Sequence, residues 1–294
     1  MLARERRKKG SASFPRSVPA SFCLLPIAFL FLSACIPVTR PVVKIGLVAP
    51  FEGRYRDTGY AVIYAVRLAV REANQSGVAG YSVELLALDD SGATDMAATQ
   101  ARKMAADPEV VGVVGHWLDD TTLAAAPKYA AEDMPFLAAT AAPALAAPAF
   151  RLWPTEASLQ SNIGSQKSEV SGPLSWGQTP FFDAGGGAAL FVAPAPMPAD
   201  SADGAFADRF RAISKGVEPN AYSVLAYDAA RLLFDAIARD VKAHGKPSRA
   251  GVSAALLESD YAGLSGHISF DANRNWAEAQ GWVYRYQDGK VVKP

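Results

Sequence analysis

Residues 42–50, VVKIGLVAP, form a short aliphatic and β-branched run that ends at Ala49-Pro50. A run of this length, bounded by a turn signal, is typical of a buried strand. C-terminal to this run, apolar residues recur at helical spacing over residues 60–74, which predicts a helix. Residues 81–88 then alternate between apolar and polar side chains, which predicts a second strand. The chain therefore begins with a strand, a helix and a strand.

The same alternation continues along the chain. Helices are predicted over residues 96–106, 123–131, 204–213, 221–242 and 249–257, and strands over residues 110–114, 135–138, 191–193, 267–270 and 281–286. Strands that alternate with helices indicate an α/β fold with right-handed crossovers and a parallel, doubly wound sheet. Ligands of such sheets bind outside the carboxyl ends of the strands. The loops after residues 48, 115 and 137 are therefore the candidate binding site.

The first 34 residues have the pattern of an export signal. A basic start precedes an apolar run at residues 22–32, which small residues follow up to Cys35. Leu32-Ser33-Ala34-Cys35 resembles a bacterial lipobox, in which the cysteine is acylated and becomes the mature N-terminus. We expect residues 1–34 to be a lipoprotein signal peptide and Cys35 to be the lipidation site. A plain signal peptide or an uncleaved anchor is the alternative.

Composition excludes several classes of function. Of 29 Lys/Arg and 29 Asp/Glu, residues 1–34 hold six and one, so the remainder carries 23 basic and 28 acidic residues. A nucleic-acid partner would require a basic face, so none is expected. The second cysteine, Cys23, lies in the signal run, which leaves no disulfide and no cysteine-based metal site in the mature chain. No catalytic or metal-binding motif occurs, and we predict no enzyme activity, metal or cofactor.

Several stretches, taken together, resemble the branched-chain amino-acid-type substrate-binding proteins of ABC importers, which have the type I periplasmic-binding fold. They are residues 45–53 (IGLVAPFEG), 84–90 (ELLALDD), 113–116 (VVGH) with 121–127 (TTLAAAP), 150–154 (FRLWP), and 222–233 with 263–271 (GLSGHISFD). The resemblance implies an exported solute-binding lipoprotein that works with an importer permease. Such a protein would capture an amino acid or a similar small polar solute between two lobes and would lie at the outer face of the cytoplasmic membrane or in the periplasm.

The resemblance also implies a division into lobes. Residues 35–41 would be a tether, residues 42–152 and 198–262 lobe 1, and residues 153–197 and 263–294 lobe 2. A lobe usually needs roughly 100 residues or more, so we expect a truncated second lobe. A non-binding remnant, or an interaction protein with an incomplete cleft, is therefore the alternative function.

The loop after the third strand carries most of the candidate ligand contacts. They are His116, Trp117, Asp119, Asp120 and Thr121. In the family this loop holds a ligand carboxylate, whereas Asp119 or Asp120 would repel one, so a cationic amine or a polyol suits the site better. Asp120 has the alternative role of capping the next helix. For His116, a structural hydrogen bond at the base of the loop is favoured over a metal or catalytic role.

Two further loops complete the predicted site. The resemblance gives Thr140 and Ala141, which follow the fourth strand, backbone and hydroxyl contacts to ligand. An ordinary turn of small residues is the alternative there. Phe51, Tyr55 and Arg56, in the loop after the first strand, are predicted to line the cleft.

Overall fold

The computed structural model describes residues 39–142, 145, 147–154, 189–287 and 290–294. The predicted signal peptide, Cys35 and residues 155–188 lie outside these ranges. No helix in the described part of the chain is long and apolar enough to cross a bilayer.

Five parallel strands form the main sheet in the order β2-β1-β3-β4-β5. They are β1 Val42–Ala49, β2 Ser82–Asp89, β3 Val110–Val114, β4 Phe136–Ala138 and β5 Ala149–Arg151. The first four match the predicted strands within one or two residues. The fifth was not predicted, because its three residues adjoin an alanine-rich segment with no alternating pattern.

Helices cover both faces of this sheet, as the strand–helix alternation predicted. They are α1 Arg56–Ser76, α2 Thr94–Ala106, α3 Asp119–Ala130, α4 Phe206–Arg211, α5 Ala221–His244 and α6 Arg249–Leu257. On one face, Ile45 and Leu47 of β1 belong to a core that α1 and α5 complete. On the other face, Val48 and Val113 pack with Met104 of α2 and Tyr129 of α3. The arrangement is the doubly wound α/β class expected from the sequence.

Two helices begin four residues earlier than predicted. Helix α1 begins at Arg56 rather than residue 60, because a 3₁₀ turn at Gly53–Tyr55 leads directly into it. Helix α3 begins at Asp119 rather than residue 123. The second shift is important for the site, because it places two candidate residues in the first turn of a helix.

The remaining strands form two smaller antiparallel sheets. Strands β6 Ala189–Ala193, β9 Trp282–Gln287 and β10 Lys290–Val292 pair in the order β10-β9-β6, and β7 Tyr261–Gly263 pairs with β8 Gly266–Ile268. The predicted turn at residues 288–289 lies outside the described residues, but the strands on either side of it pair as a hairpin. Phe191 and Tyr284 of the three-stranded sheet belong to the same core as Leu47 of the main sheet.

Candidate functional site

The order of the main sheet locates a crevice at its carboxyl edge. From β1 the chain passes to β2 on one side, and it then returns to β3 on the other side of β1. The loops after β1 and β3 therefore leave the sheet in opposite directions and open a crevice between them, which is the usual ligand position in such sheets. The β3–α3 loop begins at Gly115, with a φ of +113°. A Cβ there would lie 2.2 Å from the carbonyl oxygen of Val48, so only glycine lets the loop approach β1 this closely.

A cluster of three fully buried, hydrogen-bonded side chains supports the β3–α3 loop on its inner side. Nδ1 of His116 lies 2.7 Å from Oδ2 of Asp90, and Nε2 lies 3.3 Å from the hydroxyl of Tyr129. All three side chains have no exposed surface. Burial, and then the charge of Asp90, raise the pKa of Tyr129, so this hydroxyl keeps its proton. Both ring nitrogens of His116 are thus used inside the protein.

Asp89 holds the loop after β1 in a similar way. Its Oδ1 accepts hydrogen bonds from the backbone N–H of Phe51 at 2.7 Å and of Ser91 at 2.8 Å. Its Oδ2 accepts one from the Ser91 hydroxyl at 2.7 Å. Burial raises the pKa of Asp89, but the bonds from Ser91 and Phe51 outweigh burial and lower it below its usual value. The carboxylate therefore connects the loop after β1 to the loop after β2 by hydrogen bonds.

At the centre of the crevice, three residues form a hydrogen-bonded group, namely Asp119, Thr140 and Ala141. Oδ1 of Asp119 accepts the Thr140 hydroxyl at 2.5 Å and the Ala141 N–H at 2.9 Å. The backbone N–H of Ala142 donates to Oγ1 of Thr140 at 3.1 Å. The first turn of α3 is thereby joined to the loop after β4. Thr140 is buried, whereas Asp119 keeps part of its surface exposed.

Three aromatic side chains lie close to this group. Tyr222, in the first turn of α5, contacts Trp117 at a centroid distance of 6.1 Å and Trp153 at 6.3 Å. Burial, followed by the negative charge of Asp119, raises the pKa of Tyr222. The indole N–H groups of Trp117 and Trp153 and the hydroxyl of Tyr222 are buried without a hydrogen-bond partner among the described residues.

Arg151, at the end of β5, adds a buried positive charge. Nη2 of Arg151 donates to the carbonyl of Ala142, while its Nε is another buried atom without a partner among the described residues. Burial lowers the pKa of this guanidinium, and the charges of Asp119 and Asp271 raise it in opposition. Two carboxylates therefore act on one guanidinium in this region.

The structure brings together four of the predicted ligand contacts, namely Trp117, Asp119, Thr140 and Ala141. Phe51 and Tyr55 lie in the neighbouring loop after β1, half-buried. Arg56 lies apart from the group in a separate cavity of about 510 Å³, which segment 215–220 and the start of α1 also line.

Two predicted contacts do not fit a ligand role, and a third, Asp120, does not have its alternative role. His116 is wholly buried beneath the loop, where it makes a structural hydrogen bond of the kind that was favoured over a metal or catalytic role. Thr121 is buried and its hydroxyl donates to the carbonyl of Leu118 at 3.1 Å, a local bond common in a first helical turn. Asp120 is exposed. Asp120 also does not cap α3, because the N-cap position is Leu118 and Asp120 is the second residue of the helix.

Sequence reasoning missed Tyr222, Trp153 and Arg151. Tyr222 has no local signal, because it lies 69 residues from Trp153 and 105 residues from Trp117 along the chain. Arg151 ends strand β5 and Trp153 follows it, both within the FRLWP stretch. The available signal was a polar or amphipathic side chain at the carboxyl end of a strand, but this strand was not predicted. Among the described residues, no three His, Cys, Asp or Glu side chains cluster closely enough to hold a metal.

A family model described as periplasmic binding protein matches residues 42–172 and 170–290 of this chain. Together the two matches span most of the sequence. No curated protein sequence matches the chain.

Solved structures share the fold at low sequence identity. The branched-chain amino acid transporter substrate-binding protein LivJ from Streptococcus pneumoniae, in complex with isoleucine, superposes with a TM-score of 0.66 at 19% identity, covering 86% of this chain and 100% of that one. A leucine-binding protein, LivK, from Thermotoga maritima gives 0.67 at 18%, covering 86% and 97%. A solute-binding protein of an ABC transporter from Rhodopseudomonas palustris, in complex with 3,4-dihydroxybenzoic acid, gives 0.65 at 16%, covering 85% and 95%. At these sequence identities, the similarity shows a shared fold and nothing further.

Proposed function

This chain belongs to the periplasmic binding protein family, and on that premise we propose that it is the extracytoplasmic solute-binding lipoprotein of an ABC importer. The chain has the type I periplasmic-binding fold and is a binding protein rather than an enzyme. It would capture a small polar solute, an amino acid or a compound of similar size, and deliver it to a permease without chemical change. Capture would involve closure about the strands that connect two lobes.

One observation carries this proposal: among the described residues, four of the seven buried side-chain polar atoms without a hydrogen-bond partner lie at the crevice. They belong to Trp117, Trp153, Tyr222 and Arg151. A buried polar group left unpaired costs about 1–3 kcal/mol, so folded proteins rarely gather several in one place without a use for them. A bound solute with polar groups would pair them, which is how small-molecule sites combine aromatic walls with a few polar contacts.

The structural relatives support a ligand of this size. One of them holds isoleucine and another holds a dihydroxybenzoic acid. The lobe division proposed for this chain assigns residues 42–152 and 198–262 to lobe 1 and the remainder after the tether to a shorter lobe 2. A shorter second lobe buries less of the ligand, so we expect affinity of roughly millimolar order, about −4 kcal/mol.

Thermal unfolding of the full chain in detergent, with and without each of a panel of amino acids, amines and sugars, tests the proposal. A ligand that binds only the folded chain stabilises it by RT ln(1 + [L]/Kd), so the melting temperature rises once the ligand concentration exceeds its Kd. We expect at least one compound to do so at millimolar concentrations. If none does, the chain is the non-binding remnant or interaction protein that a truncated lobe would produce.

Membrane attachment through Cys35 is a separate part of the proposal. The family implies a location outside the cytoplasm, and the lipobox-like LSAC sequence supports acylation at Cys35. We expect Cys35→Ser to abolish labelling by radioactive palmitate and to release the chain from the membrane fraction. Unchanged labelling in that variant would contradict the assignment, while Cys23→Ser serves as the matched control.

A further inference from the structure

The hydrogen-bond donors of the loop after β4 already have acceptors within the protein. Oδ1 of Asp119 accepts both the Thr140 hydroxyl and the Ala141 N–H, and Ala142 donates in turn to the Thr140 oxygen. A threonine hydroxyl has one proton to donate and a backbone amide also has one. Asp119 therefore occupies the position in which an external carboxylate would accept these two protons.

A ligand carboxylate has no place at this loop. A carboxylate accepts hydrogen bonds and donates none. To bind there, it would have to displace Asp119 from two good bonds or lie beside that second negative charge. Both alternatives disfavour a free amino acid that binds through its carboxylate.

The remaining features of the crevice favour a cation. Asp119 is partly exposed, and no described residue donates to its Oδ2. Trp117, Trp153 and Tyr222 surround this region with aromatic rings. Arg151 and Arg274, which lies over the ring of Phe150, supply two positive charges, and Asp119 and Asp271 supply two negative ones, so the charges of the region balance. An ammonium group can donate to a carboxylate and also lie against aromatic faces.

We infer that the solute is a primary amine without a carboxylate at this position, held through its ammonium group by Asp119, so that Asp119 replaces the acidic part of an amino-acid ligand. This inference rests on the proposed solute-binding function and narrows its ligand class. The observation that carries it is the double hydrogen bond to Oδ1, with Oδ2 left for the ligand.

The test uses matched pairs of compounds that differ only by a carboxyl group. Calorimetric titration of the full chain compares 3-methylbutylamine with leucine, phenethylamine with phenylalanine, and putrescine with ornithine. We expect the amine of at least one pair to bind ten-fold or more tightly than its amino acid. Equal or tighter binding of the amino acid in every pair that binds would overturn the inference and leave the solute-binding function standing. If no compound of any class binds, the proposed function itself fails.

Two substitutions of Asp119 separate charge from hydrogen bonding. Asp119→Asn keeps an oxygen for Thr140 and Ala141 but removes the charge, and it should weaken amine binding at least ten-fold. Asp119→Ser frees both donors and should shift the preference towards the amino acid. Asp95→Asn makes the same change at an exposed position in the first turn of α2, and it should leave both affinities unchanged. Amine binding that survives Asp119→Asn unchanged would contradict the assigned role of Asp119.

Discussion

Replacement of Asp90 by alanine is expected to destabilise the fold strongly, because Asp90 fixes the β3–α3 loop from inside the core. Its Oδ2 bonds Nδ1 of His116 at 2.7 Å, and its Oδ1 accepts the N–H of Gly92 at 3.0 Å. Asp90 and His116 have no exposed surface. Since a carboxylate only accepts, Nδ1 carries the proton and Nε2 faces the hydroxyl of Tyr129.

The magnitude follows from the groups left without partners. After Asp90→Ala, one nitrogen of His116 stays unpaired whichever tautomer the ring adopts, and the Gly92 N–H loses its acceptor. Each such group costs about 1–3 kcal/mol, so we expect the free energy of unfolding to fall by about 3–5 kcal/mol. For a chain of this size the melting temperature would fall by about 10 °C.

Denaturation by urea, extrapolated to water, measures this loss. Asp90→Asn keeps an acceptor for Gly92 and can donate to the other tautomer of His116, so it should cost only about 1–2 kcal/mol. Asp95→Ala, at an exposed helix position, should cost less than about 1 kcal/mol. If Asp90→Ala costs no more than Asp95→Ala, the account of the buried pair is wrong.

Two further changes test the packing and the buried charges. Gly251→Ala would place a Cβ 1.8 Å from Oδ1 of the buried Asp240, and we expect a loss of about 2–4 kcal/mol by urea denaturation. Gly204→Ala, with no atom within 4 Å of the new Cβ, should change stability by less than about 0.5 kcal/mol, and equal losses in the two variants would contradict the packing. Burial raises the pKa of Asp228 from 3.8 to about 6, so the folded chain holds this proton more tightly than the unfolded chain does. The protonated Asp228 therefore stabilises the fold at about pH 4, and this contribution is lost as the pH rises through 6. We expect the free energy of unfolding to fall over this range by about 3 kcal/mol relative to that of Asp228→Asn. A difference between the two proteins that does not vary with pH would refute this prediction.

The fold was predictable because its signals are local. Strand β3 and helix α6 have the bounds that their apolar patterns predicted, and the strand–helix alternation predicted the doubly wound sheet. Strand β5 was missed because three residues carry too little pattern to separate them from the preceding alanines.

The candidate site was predictable only in part, because its contacts are tertiary. Asp119 and Thr140 were both proposed as ligand contacts, but the hydrogen bond between them joins residues 21 positions apart, one in the first turn of α3 and the other in the loop after β4. His116 was expected to face a ligand or the base of its loop, and the partner that decides its position, Asp90, follows another strand. Tyr222 lies in the first turn of a helix far along the chain and gives no local signal of its place beside Trp117.

Intrinsic tryptophan fluorescence during titration tests the central claim most directly, because Trp117 and Trp153 lie at the crevice. We predict a saturable change in emission from the full chain with at least one small amine, and loss of most of that change in Trp117→Phe. The Trp282→Phe variant, altered in strand β9, should keep it. No saturable change with any amine, amino acid or sugar up to roughly ten times the expected millimolar affinity would contradict the claim that this crevice binds a small solute.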